Sequence, residues 1–314
     1  MPIPSLEKIE VLVTGGAGFI GSHLVDELLE RGAIVRVLDN LETGRLENLG
    51  HCMDQIEFVE GDIRQIEVCQ RVCEEVVYIF HQAALGSVPR SMEDPATTIS
   101  VNVAGTANIF AAGRDADVKR IIYASSSSVY GDSLKTPMKE GEEGSLLSPY
   151  AVSKKMNEQL AEIYSQVYSL QLIGLRYFNV YGPRQNPNGP YAAVVPSFFQ
   201  ASAEGENPKI YGDGKQIRDF TFIEDVVMAN LLSAGAADIA CGKSYNVGAG
   251  ATTSVNDLAA RIGEITGRNW SPQHLPARAG DARASFANVE AIKKNLGFEP
   301  SYDLTMGLSK MASV

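Results

Sequence analysis

The chain has 314 residues, a formal net charge of −11 at pH 7 and an apolar fraction of 45%. That length is sufficient for one large intertwined unit or for two domains. The sequence has no apolar stretch near the roughly 20 residues of a membrane span, no apolar signal-peptide core at its start and no basic run. Membrane and nucleic-acid partners are therefore disfavoured, and a cytoplasmic location is expected.

The first predicted elements are a strand, a glycine-rich turn and a helix. The apolar, β-branched run Ile9–Val13 predicts a buried strand, and the apolar spacing in His23–Arg31 predicts a helix. Between them, residues 15–21 read GGAGFIG. Glycines at this spacing let a pyrophosphate approach the backbone at a helix N-terminus, so the pattern predicts a dinucleotide site.

A second predicted strand, Ala33–Leu38, ends at Asp39. A carboxylate at this position binds the diol of an adenosine ribose. It also repels a 2′-phosphate, and no arginine follows it until Arg45. The sequence therefore favours NAD over NADP.

Strand and helix patterns continue to alternate downstream. Repeated β–α units build a parallel, doubly wound α/β sheet, which binds ligands at the carboxyl ends of its strands. Asp62 follows the third predicted strand, from which its carboxylate can reach an adenine amino group. The further predicted strands are Ile56–Val59, Val76–Phe80 and Arg120–Ala124, and the long predicted helices are Thr97–Arg114 and Ser148–Tyr168.

A candidate proton-transfer group lies half-way along the chain. The serines at 125–128 follow a predicted strand, and Tyr150 and Lys154 share one face of the next helix. A lysine ammonium lowers the pKa of a nearby phenol, so the pair can move a hydroxyl proton. Serines at a strand end also form ordinary turns, and a Tyr-x-x-x-Lys spacing alone is weak. Combined with the glycine turn, these residues predict hydride transfer at a hydroxyl-bearing carbon.

The cysteines carry no metal signature. The four of them form no C-x-x-C pair, and the four histidines are scattered. No structural metal is predicted, and the cysteines are expected to be reduced thiols, two of them on one helix face. They are Cys52, Cys69, Cys73 and Cys241.

The chain resembles the nucleotide-sugar epimerases and dehydratases of the extended short-chain dehydrogenase/reductase superfamily, from about Val11 to beyond Gly297. This resemblance implies a Rossmann-type NAD-binding domain at 1–177 plus about 222–246. It also implies a smaller α/β C-terminal substrate domain at 178–221 and about 247–314. The segments that carry the resemblance are Thr14–Gly21, His81–Ala84, Asn102, Tyr123–Gly131, Ser148–Lys154, Leu175–Arg184 and Arg218–Phe220.

The resemblance also implies roles for individual residues. Tyr150 would be the base, Lys154 its electrostatic partner and Ser126 the hydroxyl that binds the sugar O4. The residues implied for NAD are Gly15, Gly18, Phe19, Ile20, Gly21, Asp39, Asn40, Leu41, Thr43, Gly44, Asp62, Ile63, Gln82, Ala83, Ala84, Asn102, Tyr150, Lys154 and Tyr177. Those implied for a UDP-sugar are Gly86, Ser87, Ser126, Ser127, Tyr150, Asn179, Ala193, Val194, Tyr211, Arg218, Arg278, Asp281 and Ser285.

Three of these substrate residues have ordinary structural alternatives. Arg218 and Arg278 would hold the diphosphate, but surface arginines commonly form ion pairs. Tyr211 would stack on uracil, but a tyrosine also serves in core packing.

The sequence also narrows the reaction. Hexose-4,6-dehydratases carry an Asp-Glu pair where this chain has Ser127 and Ser128, so epimerisation at C4 is favoured over elimination. Residues 81–91 and 184–196 are closely similar to epimerases that act on UDP-N-acetylglucosamine and UDP-N-acetylgalactosamine. Ser285 stands where galactose-type epimerases carry a tyrosine, and a small side chain leaves room for a 2-acetamido group. Ser285 is otherwise an ordinary polar loop residue.

Alternative functions remain open at this point. A UDP-glucuronate 4-epimerase or decarboxylase would need a cationic or hydroxyl pocket for the C6 carboxylate. A non-catalytic NAD-binding regulator is a different class, which the retained Tyr150, Lys154 and Ser126 disfavour. Relatives pair helices equivalent to Thr97–Arg114 and Ser148–Tyr168 across a two-fold axis, so the resemblance implies a homodimer. A face buried within one chain has the same pattern.

Overall fold

The fold is built on a parallel sheet, seen in a computed structural model that describes residues 3–188, 192–277 and 283–313. Within these residues the strands, numbered along the chain, are β1 (Glu10–Thr14), β2 (Ile34–Asp39), β3 (Ile56–Glu60), β4 (Tyr78–His81), β5 (Arg120–Ser126), β6 (Leu172–Tyr177), β7 (Val180–Tyr181), β8 (Lys209–Tyr211), β9 (Ile217–Arg218), β10 (Thr221–Phe222), β11 (Lys243–Val247), β12 (Thr253–Ser254), β13 (Gln273–Leu275) and β14 (Ala284–Ser285).

The central sheet has seven parallel strands in the order β11-β6-β5-β4-β1-β2-β3. The chain runs outward from β1 to β3 and then crosses back to β4 on the other side of β1. That reversal opens a crevice at the carboxyl ends of β1 and β4, where doubly wound sheets bind ligands. The predicted α/β fold class is confirmed.

Helices cover both faces of this sheet. The α-helices are α1 (Phe19–Glu30), α2 (Ile66–Cys73), α3 (Val88–Glu93), α4 (Pro95–Ile99), α5 (Thr106–Asp115), α6 (Pro149–Tyr168), α7 (Val194–Glu204), α8 (Ile223–Ala234), α9 (Val255–Thr266), α10 (Glu290–Leu296) and α11 (Leu304–Ala312). Short 3₁₀ helices cover Leu46–Asn48, Ser127–Tyr130 and Asp238–Ala240. None of the helices in the described residues has the length and apolarity needed to cross a bilayer.

Strand residues alternate between two cores. Val11 and Val13 pack with α1 and α8 on one face, whereas Leu12 between them packs with α2 and α5 on the other. This alternation follows from the two-residue period of a strand. Both faces are apolar because a parallel sheet is covered on both sides. Cys69 and Cys73 lie together in the second core, as their spacing predicts.

The helix predicted over Thr97–Arg114 contains an irregularity. Helical structure continues from Pro95 to Asp115, but Ser100–Gly105 is a π-helical stretch between α4 and α5. The wider turn does not show in the apolar spacing. It places Asn102 inward, fully buried between the β4–α3 loop and α6.

Smaller sheets form from the C-terminal half. β7 pairs with β10, β8 with β13, and β9 lies between β12 and β14. β11 returns to the central sheet beside β6. The division into an NAD-binding and a substrate domain remains a prediction.

A buried arginine joins the central sheet to the end of α8. Arg120 is 1% exposed, and its guanidinium donates to the carbonyls of Ser233, Ala234 and Ala236 at 2.8, 3.0 and 2.9 Å. It also donates to Gln171 Oε1. Ser233 and Ala234 end α8, so their carbonyls lack the N–H four residues on that a helix supplies, and the arginine donates to them instead.

Replacing Arg120 with Met is expected to lower the free energy of unfolding by about 3 kcal/mol, because several buried acceptors lose their donor. Urea denaturation followed by fluorescence measures the change. Arg71→Met is the matched control, since Arg71 is exposed, and should change stability by less than about 0.5 kcal/mol. Equal effects of the two substitutions would contradict the capping role.

Candidate active site

The glycine-rich turn, residues 15–21, lies at the crevice. At two of its positions there is no room for any side chain larger than the hydrogen of glycine. Gly15 has a φ of +70°, and a Cβ atom there would lie 2.7 Å from the backbone nitrogen of Ala83. A Cβ atom on Gly21 would lie 2.1 Å from the Gly15 carbonyl oxygen. The backbone can therefore approach a ligand closely only because these residues are glycines.

Helix α1 begins at this turn with features that suit an anion. Its first position follows Gly18, which makes no side-chain cap, and its first turn contains no acidic residue. Free backbone N–H groups and the helix dipole therefore point towards the crevice.

A cavity of about 310 Å³ opens there. The predicted NAD residues that line it are Gly15, Gly18, Phe19, Ile20, Gly21, Asp39, Asn40, Thr43, Asp62, Ile63, Gln82, Ala83 and Ala84.

Asp39 connects this cavity to the turn. Its carboxylate accepts N–H groups from Ala17 at 3.0 Å and Leu41 at 2.8 Å. Burial raises the pKa of Asp39, and these two hydrogen bonds oppose the rise. A Cβ atom on Gly44 would lie 2.8 Å from the same carboxylate. Leu41 and Gly44 thus support Asp39 and do not themselves line the cavity.

Asp62 carries partners of its own at the far end of the cavity. It pairs with Arg64 at 2.6 Å and accepts a hydrogen bond from Asn40 at 2.9 Å. The hydrogen bond from Arg64 is the main reason that the pKa of Asp62 falls to about 2. Asp62 is therefore an ionised acceptor at the proposed adenine end.

A second cavity of about 620 Å³ adjoins the first and shares Phe19, Ile20 and Gly86 with it. A ligand can therefore extend from one to the other. The predicted site residues that line the second cavity are Gly86, Ser126, Ser127, Tyr150, Tyr177, Asn179, Arg218 and Ser285.

Tyr150 and Ser126 meet at the floor of this second cavity. Tyr150 lies in the first turn of α6, which Ser148 caps by accepting the Ala151 N–H at 3.1 Å. Burial raises the pKa of the Tyr150 phenol, and a hydrogen bond with the Ser126 side chain opposes that rise. A phenol and a hydroxyl that share one hydrogen bond can both contact a single substrate oxygen.

Lys154 lies one turn behind Tyr150. Its Nζ is 5.9 Å from the centroid of the Tyr150 ring and donates to the carbonyl of Ala124 at 2.8 Å. Burial lowers the pKa of Lys154 to about 8. It remains a cation near neutral pH, where it favours the ionised form of the neighbouring phenol.

Ser128 holds the Ser126 side chain, a role that was not predicted from the sequence. Its backbone N–H and its hydroxyl donate to Ser126 Oγ at 3.1 and 3.0 Å. These bonds orient the Ser126 hydroxyl towards Tyr150. The sequence of consecutive serines does not predict these two hydrogen bonds. They form because the 3₁₀ turn at Ser127–Tyr130 places Ser128 beside Ser126.

The substrate end is assembled from the smaller sheets. Arg218 in β9 lies opposite Ser285 in β14, and both line the second cavity. Asn179 has a φ of +30° and donates to the Asp219 carbonyl at 3.0 Å. The three-stranded sheet β12-β9-β14 therefore places the Arg218 cation and the small Ser285 side chain in the lining of the same cavity.

Other predicted substrate residues lie elsewhere. Ser87 caps α3 by accepting the Arg90 N–H, and Ala193 precedes the first turn of α7. Val194 and Tyr211 line a separate cavity of about 370 Å³. Arg278 and Asp281 fall outside the described residues.

Comparison with known proteins agrees with this geometry. A profile of the NAD dependent epimerase/dehydratase family matches residues 11–248. The chain belongs to that family.

Relatives of this epimerase/dehydratase act on several UDP-sugars. The UDP-glucose 4-epimerase of Mycolicibacterium smegmatis is 40% identical over 306 residues, covering 96% of this chain and 97% of the relative. UDP-glucuronate 4-epimerase 2 of Arabidopsis thaliana is 32% identical over 330 residues, covering 96% and 74%. A UDP-N-acetylglucosamine 4-epimerase from Methanobrevibacter ruminantium, solved with UDP-N-acetylmuramic acid, superposes with a TM-score of 0.93 at 35% identity and 98% coverage of both chains.

NAD is the cofactor of this family, and the residues present fit it. The glycine turn, the uncapped start of α1 and Asp39 offer a pyrophosphate cradle and a ribose acceptor. Asn102, which the resemblance implied for NAD, lines neither cavity. It is fully buried, and its amide is bonded to both backbone groups of Leu85 and to Ser153. It supports the loop between the two cavities.

A ring of polar side chains joins the two cavities. The Tyr177 hydroxyl donates to Gln82 Oε1 at 3.1 Å, Gln82 Nε2 donates to Asn230 Oδ1 at 3.2 Å, and Asn230 Nδ2 donates to the Tyr177 oxygen at 2.9 Å. Burial raises the pKa of Tyr177 to about 12, so it stays a neutral donor. Asn230 escaped sequence reasoning because a single amide within the apolar helix α8 has no recognisable pattern.

One group of potential metal ligands lies away from these cavities. Within the described residues, Asp26, His51 and Cys52 bring one ligand atom each to within 4.8 Å of one another. Asp26 is already paired with Arg184 and His51, and the Cys52 thiol donates to the Leu49 carbonyl. Protein groups therefore satisfy these three side chains.

Proposed function

We propose that this chain is an NAD-dependent UDP-sugar C4 epimerase that interconverts UDP-N-acetylglucosamine and UDP-N-acetylgalactosamine, with UDP-glucose and UDP-galactose as further candidate substrates. The observation that carries the proposal is the meeting of Tyr150, Ser126 and Lys154 beside a cavity that Ser285 also lines. Conversion of these sugars without added cofactor tests it.

The proposed reaction moves one proton and one hydride in each direction. Tyr150 removes the C4 hydroxyl proton, Ser126 holds the same oxygen, and the Lys154 ammonium stabilises the phenolate. NAD bound at the glycine turn would supply a nicotinamide able to take the C4 hydride and give it back. Arg218 holds the diphosphate while the 4-keto sugar turns, and Tyr150 returns the proton after hydride addition to the opposite face. The product is the C4 epimer, with no net redox change.

Elimination of water is not supported by the side chains beside Tyr150. A dehydratase needs an added acid and base to remove a C5 proton and the C6 oxygen. Ser127 and Ser128 stand where dehydratases carry an Asp-Glu pair, so neither position supplies a carboxyl group that could act as the acid or the base. The Ser128 hydroxyl is also committed to Ser126.

A uronic acid substrate is less well supported than a neutral sugar. Among the described residues that line the second cavity, Arg218 is the one with a cationic side chain, and it is the proposed diphosphate ligand. The hydroxyls of Ser127 and Ser148 that line the same cavity can donate to a C6 carboxylate, but without a further cation they offset only part of the cost of its desolvation. UDP-glucuronate should therefore be converted at least tenfold more slowly than UDP-N-acetylglucosamine.

Ser285→Tyr is expected to lower kcat/KM for UDP-N-acetylglucosamine by at least about tenfold, because a bulky ring fills space needed by the acetamido group. UDP-glucose should be affected by less than about threefold. Initial rates with both sugars measure the ratio, and Ser285→Ala serves as the matched small control. If Ser285→Tyr leaves the ratio of kcat/KM for the two sugars unchanged, the small side chain of Ser285 does not determine acceptance of the acetamido group.

We also propose that the protein is a homodimer through α6. The outer face of this helix exposes four apolar side chains at spacings of four and seven residues. An apolar stripe of this spacing on a surface helix suits a partner helix. They are Val152, Met156, Ile163 and Val167.

Ile163→Glu is expected to convert the dimer to a monomer, because it places an unpaired charge within an apolar interface. Light scattering after gel filtration measures the mass. Met306→Glu is the matched control, since Met306 is an equally exposed apolar residue on α11. A monomeric wild type, or a dimeric Ile163→Glu variant, would contradict the proposed interface.

A further inference from the structure

Helix α6 carries a buried carboxylate that the reaction does not use. Tyr150, Lys154 and Glu158 follow one another at four-residue intervals, which places them on one face of the helix. The Glu158 side chain is 7% exposed. A buried carboxylate is costly unless it is paired and fully hydrogen bonded.

Glu158 is held by the two strands that end at the site. Its Oε1 accepts the Ser125 hydroxyl and Arg176 Nε, each at 2.7 Å, and its Oε2 accepts Arg176 Nη2 at 2.8 Å. Ser125 immediately precedes Ser126 in β5, and Arg176 immediately precedes Tyr177 in β6. The carboxylate therefore ties the helix of the base to the strands of its neighbours.

Arg176 is fixed in turn by further partners. Its Nη1 donates to the Tyr130 hydroxyl at 3.0 Å and pairs with Glu143 at 2.5 Å. The Tyr130 hydroxyl donates to Asn246 Oδ1 at 2.7 Å, and Asn246 lies in β11. The network thus spans the adjacent strands β5, β6 and β11. These contacts hold the Arg176 side chain in place, and its ion pair with Glu158 fixes the position of α6 relative to the sheet.

We propose that Glu158 is a positioning residue that, through Ser125 and Arg176, sets the distance between the Tyr150 phenol and the Ser126 hydroxyl. Glu158 does not line either cavity, so it acts without touching the substrate. Reacting groups displaced by about 1 Å lose on the order of 100-fold in rate. The effect on rate rests on the proposed function, whereas the effect on the Tyr150–Ser126 pair does not.

The test compares two glutamates of the same helix. Glu158→Gln keeps the shape but turns one acceptor into a donor that faces donors. Glu162→Gln changes an exposed residue one turn further on. We expect Glu158→Gln to lower kcat by about 10-fold to 100-fold with KM changed by less than about twofold, and Glu162→Gln to leave both unchanged. A loss confined to KM, or no loss in kcat, would overturn the proposal.

A second measurement does not depend on turnover. The ionisation of Tyr150 in the holoenzyme can be followed by ultraviolet difference absorbance against the matching Tyr150→Phe variant. Because the Ser126 hydrogen bond lowers the pKa of Tyr150, weakening that bond in Glu158→Gln should raise the titration midpoint by more than the loss of the carboxylate charge lowers it. The midpoint should stay in place in Glu162→Gln. An unmoved midpoint in Glu158→Gln would overturn the proposal.

A milder variant guards against loss of folding. Ser125→Ala removes the bond between β5 and Glu158 and leaves the ion pair with Arg176 intact, so it should lower kcat and raise the Tyr150 midpoint in the same directions by smaller amounts. If the wild type converts no UDP-sugar but the midpoint still rises in both variants, the positioning role stands and the proposed function fails. If the wild type is active and neither variant differs from it, the positioning role fails alone.

Discussion

Tyr150→Phe is expected to lower kcat for C4 epimerisation by about 1,000-fold or more. The ring and its packing remain, but no group is left that can take the C4 proton, and general bases contribute on the order of 10²–10⁴ in rate. Ser126 alone cannot replace it because a serine hydroxyl is far too weak a base. Proton NMR of a UDP-sugar incubated with each protein measures the rate.

Tyr168→Phe is the matched control for Tyr150→Phe. Tyr168 lies in the last turn of the same helix and is about half exposed, far from the site in sequence and surroundings. Its substitution should leave kcat unchanged. A Tyr150→Phe protein with normal turnover would disprove the assignment of the base. One that is inactive but keeps its biological effect would favour the non-catalytic NAD-binding regulator.

Gly21→Ala is expected to weaken NAD binding by at least tenfold. The new methyl group would lie 2.1 Å from the Gly15 carbonyl oxygen and 2.8 Å from Gly16 Cα, which are backbone atoms that cannot rotate away. The turn must therefore open, which removes the cradle at the start of α1. We expect at least a tenfold loss of affinity for NAD, or about 1.4 kcal/mol, together with loss of epimerisation.

The NAD content of the purified protein, measured after acid release, tests this expectation. Gly50→Ala is the matched control because a Cβ atom there would lie 3.7 Å from the Glu47 carbonyl oxygen, an ordinary contact. That variant should keep the wild-type NAD content. Full NAD occupancy in Gly21→Ala would mean that the turn does not cradle the pyrophosphate.

The fold could be predicted from the sequence wherever local pattern decides structure. Five of the seven strands of the central sheet were predicted from apolar runs, with bounds within two residues of the structure, whereas β6 and β11 were not predicted as strands. Helix α1 begins at Phe19, earlier than the predicted His23, because the last residues of the glycine turn are already helical. The π-helical stretch at Ser100–Gly105 could not be predicted, since apolar spacing does not record the extra residue in its turn.

The site was predictable only in part. Tyr150, Lys154 and the glycine turn carry local motifs, whereas the partners that orient them come from distant parts of the chain. Glu158 meets Arg176 and Gln82 meets Asn230 through tertiary packing that no spacing reveals. Substrate residues on short strands and loops are the least predictable. Tyr211, which the resemblance implied for uracil, lines a cavity separate from that of Tyr150, and its role stays a prediction.

The most direct test of the account is to incubate the purified protein with UDP-N-acetylglucosamine and UDP-glucose in parallel, without added cofactor, and to follow each sugar by proton NMR. We expect UDP-N-acetylgalactosamine to form, faster than UDP-galactose and with no net NADH, because tightly held NAD is regenerated in every cycle. If neither sugar forms its C4 epimer, the proposed epimerase is contradicted for neutral and acetamido sugars, and UDP-glucuronate becomes the first substrate to try.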